Sequence, residues 1–170
     1  CILFGDGAGA AVVRAEEGEL HPSVAGSDGT MGHVLACESR VQNDWQQKEA
    51  DRKTYIDMDG TAVFKFAVRK MPEMAKSLMT QLHYTEADID WFITHQANER
   101  IIEAIARRLK SDIAKFPMNI AECGNTSSAS IPILLDEMNR SGQLKDGQKI
   151  IMAGFGAGLS WGAVYMEWHA

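Results

Sequence analysis

Cysteine is scarce. The 170 residues hold three, Cys1, Cys37 and Cys123, an odd number with no C-x-x-C spacing. That excludes a disulfide framework and a cysteine zinc site, and it fits a reducing cytoplasm. The five histidines, His21, His33, His83, His95 and His169, include no H-x-x-x-H pair, and His33 with Cys37 stands isolated, so no metal is expected. No apolar run approaches the 18 or more residues that a membrane span requires, and no signal peptide is read. Positive charge is in the minority: 17 Lys and Arg against 23 Asp and Glu leave a formal net charge of -6. This argues against general nucleic-acid binding, which needs a broad basic footprint. Any basic patch must be local.

Hydrophobic residues make up 45% of the chain and charged residues 24%, the balance of a soluble globular protein. A domain of this length buries about 70% of the surface its unfolded form exposes, enough for a real core.

The opening CILFGDGAGAAVVRAEEGEL reads as a short apolar strand, a glycine-rich bend and a second apolar strand ending near Arg14. No helix follows the glycines, and Gly5, Gly7 and Gly9 lack the G-x-G-x-x-G spacing, so a dinucleotide-binding turn is not read here. FGDGAGAAVV (Phe4 to Val13) and GFGAGLSWGAV (Gly154 to Val164) repeat one device at both ends: apolar strand, G-x-G-A-G, then small and apolar residues. Such bends recur wherever backbones approach closely. The repetition favours an internal repeat, the last strand of one unit followed by a complete second copy.

Residues 15–55 read as polar and irregular, with a charged stretch from Asp44 to Lys53. A helical pattern then runs through Phe64, Ala67, Val68, Met71, Ala75, Leu78 and Leu82, with Pro72 expected to kink or split it. TEAD, Thr85 to Asp88, looks like a capping box; IDWFIT reads as a brief buried strand; a helix follows from Asn98. Another helix passes through Ile131, Leu134, Leu135 and Met138 and stops at Gly142. KDGQ turns into the strand KIIMAG, and a last strand lies around Trp161 to Trp168. Strands alternating with helices predict an α/β layered fold.

GLSWG, Gly158 to Gly162, fits the G-x-S-x-G nucleophile elbow by letter and fails it by context. A strand follows Ser160, and His169 beside Glu167 leaves no room for a triad. FITHQANERIIEAIARRLK, Phe92 to Lys110, says more. His95 comes directly after a buried strand, where α/β sheets collect ligand groups, and Asn125 in ECGNTSSAS is read at a second strand-to-helix junction. The residues alone leave both roles open. A lone histidine after a strand also serves as a structural or solvent-facing residue, and Asn-Thr-Ser is a turn and N-cap sequence in its own right.

Four motifs in order, FGDGAGAAV (Phe4 to Val12), HQANERI (His95 to Ile101), GNTSSASIP (Gly124 to Pro132) and GFGAGLSWGA (Gly154 to Ala163), closely resemble the β-ketoacyl-acyl-carrier-protein synthase III family. The resemblance spans essentially the whole chain. It implies a thiolase-like α/β fold of two similar halves, with residues 1–23 ending the N-terminal half and 24–170 forming the C-terminal half. It also implies the initiating condensation of type II fatty acid synthesis: acyl-CoA and malonyl-acyl-carrier protein give 3-ketoacyl-acyl-carrier protein, CoA and CO2. Acyl carrier protein, CoA thioesters and the missing N-terminal half would be its partners, in a cytoplasmic homodimer with no cofactor.

By motif match His95 and Asn125 belong to a Cys-His-Asn set, both donating hydrogen bonds to the malonyl thioester oxygen as it becomes an enolate. Ala157 matches an oxyanion-hole backbone position where the family often has glycine. Met58, Gly60, Phe64, Ala97, Asn98, Ile101 and Phe155 match the wall of the phosphopantetheine tunnel, with plain core packing the alternative for Phe64 and Ile101. The family's nucleophile lies in an Ala-Cys-small-Gly context that this chain lacks. Cys1 is too close to FGDGAGA, Cys37 in LACES lacks the glycine and Cys123 precedes the Asn125 loop, so all three read as structural. The chain is therefore expected to be part of a longer enzyme and inactive in condensation alone.

On the helix after His95, Arg100, Glu103 and Arg107 share one face and Ile101, Ile102, Ile105 and Leu109 the opposite one. A Glu103 to Arg107 pair contributes about 0.3–0.5 kcal/mol, which accounts for one arginine. By the resemblance Arg100, Arg107, Arg108 and Lys65 form a dock for an acidic carrier protein. Two alternatives stand beside this reading: a sister thiolase-fold synthase acting on CoA esters in secondary metabolism, and a non-catalytic half that dimerises and binds a partner.

Overall fold

The computed structural model describes residues 3–13, 17–18, 20–37 and 55–169. In chain order its strands are β1 (Ser23–Ser27), β2 (Leu35–Ala36), β3 (Asp57–Met58), β4 (Trp91–Thr94), β5 (Lys149–Gly156) and β6 (Ser160–Glu167). Its helices are α1 (Gly60–Leu82), α2 (Glu99–Leu109), the single turn α3 (Ile120–Cys123) and α4 (Ser130–Arg140). One sheet has the order β1-β6-β5-β4, with β4 parallel to β5 and the other neighbours antiparallel. β2 and β3 form a separate two-stranded pair.

Alternation along the strands decides the layers. Phe92, Ile151, Ala153, Ala163 and Tyr165 pack with Met71, Ala75 and Leu78 of α1 and with Ile102 and Ile105 of α2. Ile93 and Ile150, one residue out of phase, pack with Leu134 and Met138 of α4. The sheet is thus covered on both faces, a three-layer α/β/α arrangement. Each fully buried Ile, Leu, Met or Phe contributes about 1.5–3 kcal/mol, so the two faces, not the strand ladders alone, fix the register.

The helix ends are set locally. Asp59 Oδ1 accepts from the N–H groups of Thr61 and Ala62, each at 3.0 Å, and starts α1. Asn98 Oδ1 accepts from Arg100 N–H at 2.9 Å and starts α2. The expected capping box is present: Asp88 Oδ2 accepts from both the N–H and the hydroxyl of Thr85 at 2.7 Å.

Three local expectations are corrected. α1 is not split at Pro72 and stays one helix from Gly60 to Leu82, because Pro72 is buried and the packing of Val68, Met71, Met74, Ala75 and Leu78 outweighs the roughly 3 kcal/mol that a mid-helix proline costs. Residues 10–13 do not form a strand: Val12 is 98% and Val13 91% exposed, with no ladder partner among the described residues. Within 15–55, read as irregular, the structure has β1, the 3-10 turn Gly29–Val34 and β2. β1 escaped the pattern because its pairing partner, β6, lies at the other end of the chain, and Gly26 is held in close approach to the Trp161 ring, where a Cβ would come within 2.7 Å of Cζ2. The charged stretch from Asp44 to Lys53 lies outside the described residues.

Candidate active site

The parallel ends of β4 and β5 deliver two chain segments to one side of the sheet, the position where open α/β sheets bind ligands. His95 extends β4 by one residue, its N–H donating to Ala153 C=O at 2.9 Å. Its ring is largely buried, edge-on to Phe155 with centroids 5.7 Å apart. Burial lowers the His95 pKa below the ordinary histidine value and favours the neutral ring. Nδ1 lies 2.7 Å from the hydroxyl of Ser130, the first residue of α4.

Asn125 arrives from a different direction, on the loop between α3 and α4, and is buried. Its backbone bridges Phe4 in parallel and its C=O accepts from Gly5 N–H at 2.9 Å. Its side-chain Oδ1 accepts from Ser127 N–H at 2.9 Å, which leaves the amide NH2 as the free end of the side chain. Gly5 is obligatory for this contact, since a Cβ there would meet the carbonyl oxygen of Cys123. Gly5→Ala is expected to lift the Phe4–Gly5 segment off the Asn125 loop and to cost about 1–3 kcal/mol in urea-induced unfolding, as overpacking does.

His95 and Asn125 line the same cavity of about 380 Å³. Every position expected for the tunnel is on its wall: Met58, Gly60, Phe64, Ala97, Asn98, Ile101 and Phe155, joined by Ala157. The two alternatives for the apolar helix positions separate here. Phe64 is 37% exposed, whereas Ile101 is a buried core residue that also lines the cavity.

The basic residues are not one patch. Lys65 and Arg108 line a depression next to the cavity, with Phe64 common to both, and Arg69, which the sequence reading passed over, joins them. Arg100 opens onto another depression with Ala97, Asn98 and Asn125. Arg107 lines neither and pairs with Glu103 at 3.6 Å on the exposed face. Cationic groups therefore flank the cavity on two sides.

Cys37, read as structural, also lines the cavity. Cys123 lies outside it, its thiol 3.7 Å from Glu137 Oε1; burial, then the Glu137 carboxylate, push that thiol up and keep it protonated. Cys1 lies outside the described residues. Ser160 begins β6 and is followed by strand, so the nucleophile-elbow geometry is absent. Two further residues organise the site. Gln96, 0% exposed, donates through Nε2 to Thr94 C=O at 2.8 Å and accepts from Asn119 N–H at 3.3 Å. Ser130, 2% exposed, is the contact of His95. Neither could be found by spacing, because their partners are 23 and 35 residues away in sequence.

Comparison with known proteins places this geometry. Residues 79–168 match the family model described as 3-oxoacyl-[acyl-carrier-protein (ACP)] synthase III C terminal. The chain is 46% identical over 171 residues to beta-ketoacyl-[acyl-carrier-protein] synthase III of Clostridium novyi (strain NT), covering 99% of this chain and 53% of that protein. The crystal structure of 3-oxoacyl-(acyl carrier protein) synthase III from Pseudomonas aeruginosa PAO1 superposes with a TM-score of 0.81 at 37% identity, covering 99% of this chain and 51% of that one. The priming beta-ketosynthase from the R1128 polyketide biosynthetic pathway superposes with a TM-score of 0.76 at 34% identity, covering 86% of this chain and 44% of that one. The fold is accordingly thiolase-like α/β, as expected. The chain spans about half the length of the curated relatives it matches. With more than half of its length matched by the family model and most of its length matched by these relatives, the chain belongs to the 3-oxoacyl-acyl-carrier-protein synthase III family and carries that family's C-terminal domain.

Proposed function

We propose that this chain supplies the decarboxylation site for the initiating condensation of fatty acid synthesis, in which acyl-CoA and malonyl-acyl-carrier protein give 3-ketoacyl-acyl-carrier protein, CoA and CO2. The observation that carries the reading is the convergence of His95 and Asn125, from two separate junctions, on one largely apolar cavity. In the first half-reaction a cysteine supplied by the rest of the protein takes the acyl group and CoA leaves. In the second, the malonyl carboxylate departs as CO2 and its bonding pair moves onto the thioester as an enolate. His95 Nε2–H and the Asn125 NH2 hold that enolate oxygen. The enolate carbon then attacks the acyl thioester and expels the cysteine thiolate, so every electron pair is accounted for. Apolar walls contributed by Phe64, Ile101 and Phe155 exclude water and strengthen both hydrogen bonds. Met58, Gly60, Ala97 and Asn98 complete a passage for the arm that carries the malonyl group. Ala157 presents its backbone N–H to the acyl thioester oxygen.

Residues 1–23 belong to the N-terminal half and 24–170 to the C-terminal half of this enzyme, which acts as a cytoplasmic homodimer without a cofactor. Lys65, Arg100, Arg107 and Arg108 receive the acidic carrier protein. Cationic groups on two sides of the cavity, in a chain of net charge -6, are what such a partner requires for steering. Arg108→Glu in the full chain is expected to raise the KM for malonyl-carrier protein about 5-fold at low salt, equal to ~1 kcal/mol, with kcat unchanged and the effect fading as salt rises. An unchanged KM at every salt concentration would remove Arg108 from the dock. The decisive test of the function itself is product formation from acyl-CoA and malonyl-carrier protein by the full-length protein, lost on substitution of His95.

A further inference from the structure

We propose that Ser130 is a positioning residue that fixes the tautomer of His95, holding its proton on Nε2 so that the N–H faces the cavity. The inference rests on the proposed function for its importance, but its structural content stands on hydrogen-bond arithmetic alone.

The Ser130 hydroxyl has one proton to give and two lone pairs to receive with. One lone pair is committed, because the backbone N–H of Gln96 donates to Ser130 Oγ at 3.3 Å and a backbone N–H can only donate. The other neighbour of the hydroxyl is His95 Nδ1 at 2.7 Å. No carbonyl or carboxylate accepts from the hydroxyl among the described residues. Ser130 is only 2% exposed, so its proton cannot turn to solvent without leaving a buried donor unmade, which costs more than a hydrogen bond contributes. The arrangement that satisfies every group has Gln96 N–H donating to Ser130 and Ser130 O–H donating to His95 Nδ1. A nitrogen that accepts carries no proton, so the neutral ring keeps its proton on Nε2. The reverse arrangement, Nδ1–H donating to the serine, would strand the hydroxyl proton and turn a lone pair toward the cavity. An acceptor there would repel an enolate rather than hold it.

The same short segment orients the second donor. Ser127 N–H occupies Asn125 Oδ1 at 2.9 Å and so turns the amide NH2 outward. Two hydrogen bonds given by residues 127 and 130 thereby set both cavity donors. Ser130 can be probed by substitution, whereas the Ser127 contribution is backbone.

The experiment is nitrogen NMR of the full-length protein labelled with 15N-histidine, His95 being assigned from the signals lost in His95→Gln. The wild-type ring is expected to show an unprotonated Nδ1 and a protonated Nε2. In Ser130→Ala both tautomers are expected to be populated, kcat for condensation to fall about 10- to 100-fold, as when an imidazole loses its orienting partner, and the KM for malonyl-carrier protein to change less than about 2-fold. Ser130→Thr, which restores the hydroxyl, is expected to return the wild-type signature and most of kcat. A wild-type His95 protonated on Nδ1 would overturn the proposal without recourse to any variant, and so would an unchanged tautomer in Ser130→Ala. If the tautomer shifts as described while His95→Ala leaves condensation intact, Ser130 sets the ring as inferred and the proposed function is what fails.

Discussion

Under the proposed function, His95→Ala in the full-length protein is expected to lower malonyl-thioester decarboxylation and condensation about 10²- to 10³-fold, while transfer of the acyl group from acyl-CoA onto the enzyme is expected to continue. That split separates a donor to the enolate from a general structural defect. Removing one preorganised donor to a developing oxyanion costs about 2.7–4 kcal/mol of transition-state stabilisation, and the apolar walls keep water from replacing it. In the proposed reaction the acyl-transfer step takes place on another thioester oxygen, so it is expected not to feel the loss. The two steps are read separately with radiolabelled acyl-CoA trapped on the protein and with CO2 release from malonyl-carrier protein. Equal losses in both would contradict the assignment.

The same side chain makes the fold acid-sensitive. His95 has a folded pKa below its unfolded value of about 6.5 because its ring is buried. Neutral His95 therefore supports full stability above about pH 6.5, and that contribution is lost as pH falls through the lower folded value, since the unfolded chain binds the proton more readily. In His95→Ala this component of the pH dependence disappears, which pH-resolved urea unfolding measures.

Phe92→Ala is the largest stability loss expected, about 3–5 kcal/mol for a buried aromatic with no room to collapse. Phe92 is fully buried on β4, stacked on Phe116 with ring centroids 4.8 Å apart and an interplanar angle of 8°. Phe116 lies on the chain that leads to Asn119, and Asn119 N–H is held by Gln96. Removing the Phe92 ring therefore loosens the support beneath the turn that follows His95, besides opening a void under α2. The measurements are the midpoint of urea unfolding and the His95 nitrogen signals at a denaturant concentration where the variant is still folded. A loss under 1 kcal/mol would mean that the layer repacks around the gap.

The order of the longer elements after residue 59 (α1, β4, α2, α4, β5 and β6) was legible because each signal there is local, whereas the two-residue β3 and the single turn α3 were not read. The capping pair Thr85 and Asp88, the N-cap Asn98 and the isoleucine stripe of α2 each need only a few neighbouring residues to be read. The position of His95 at a strand end was legible for the same reason; Asn125, expected at a second strand-to-helix junction, instead follows the helical turn α3, and the shared motifs supplied the pairing that spacing could not. What escaped depends on distant partners. β1 forms against β6, some 140 residues away, and a short Ser-Val-Ala-Gly-Ser segment carries little alternation of its own. Val12 and Val13 have strand-forming side chains, yet among the described residues nothing pairs with them, so local preference has no ladder to complete. Ser130 reads as an ordinary helix-start residue until β4 is folded beside it. Cys37 shows no catalytic context in sequence and reaches the cavity only through the β2–β3 pair.

The bridge from Phe4 and Gly5 to Asn125 sets a timetable for assembly. Its two sides lie roughly 120 residues apart in the chain, and closing a flexible loop of that size costs on the order of 4 kcal/mol of chain entropy before any contact repays it. His95, by contrast, is in place as soon as β4 pairs with β5. On refolding from denaturant the sandwich core is therefore expected to recover its fluorescence first, and the competent His95 and Asn125 pair last, when the amino-terminal segment comes home.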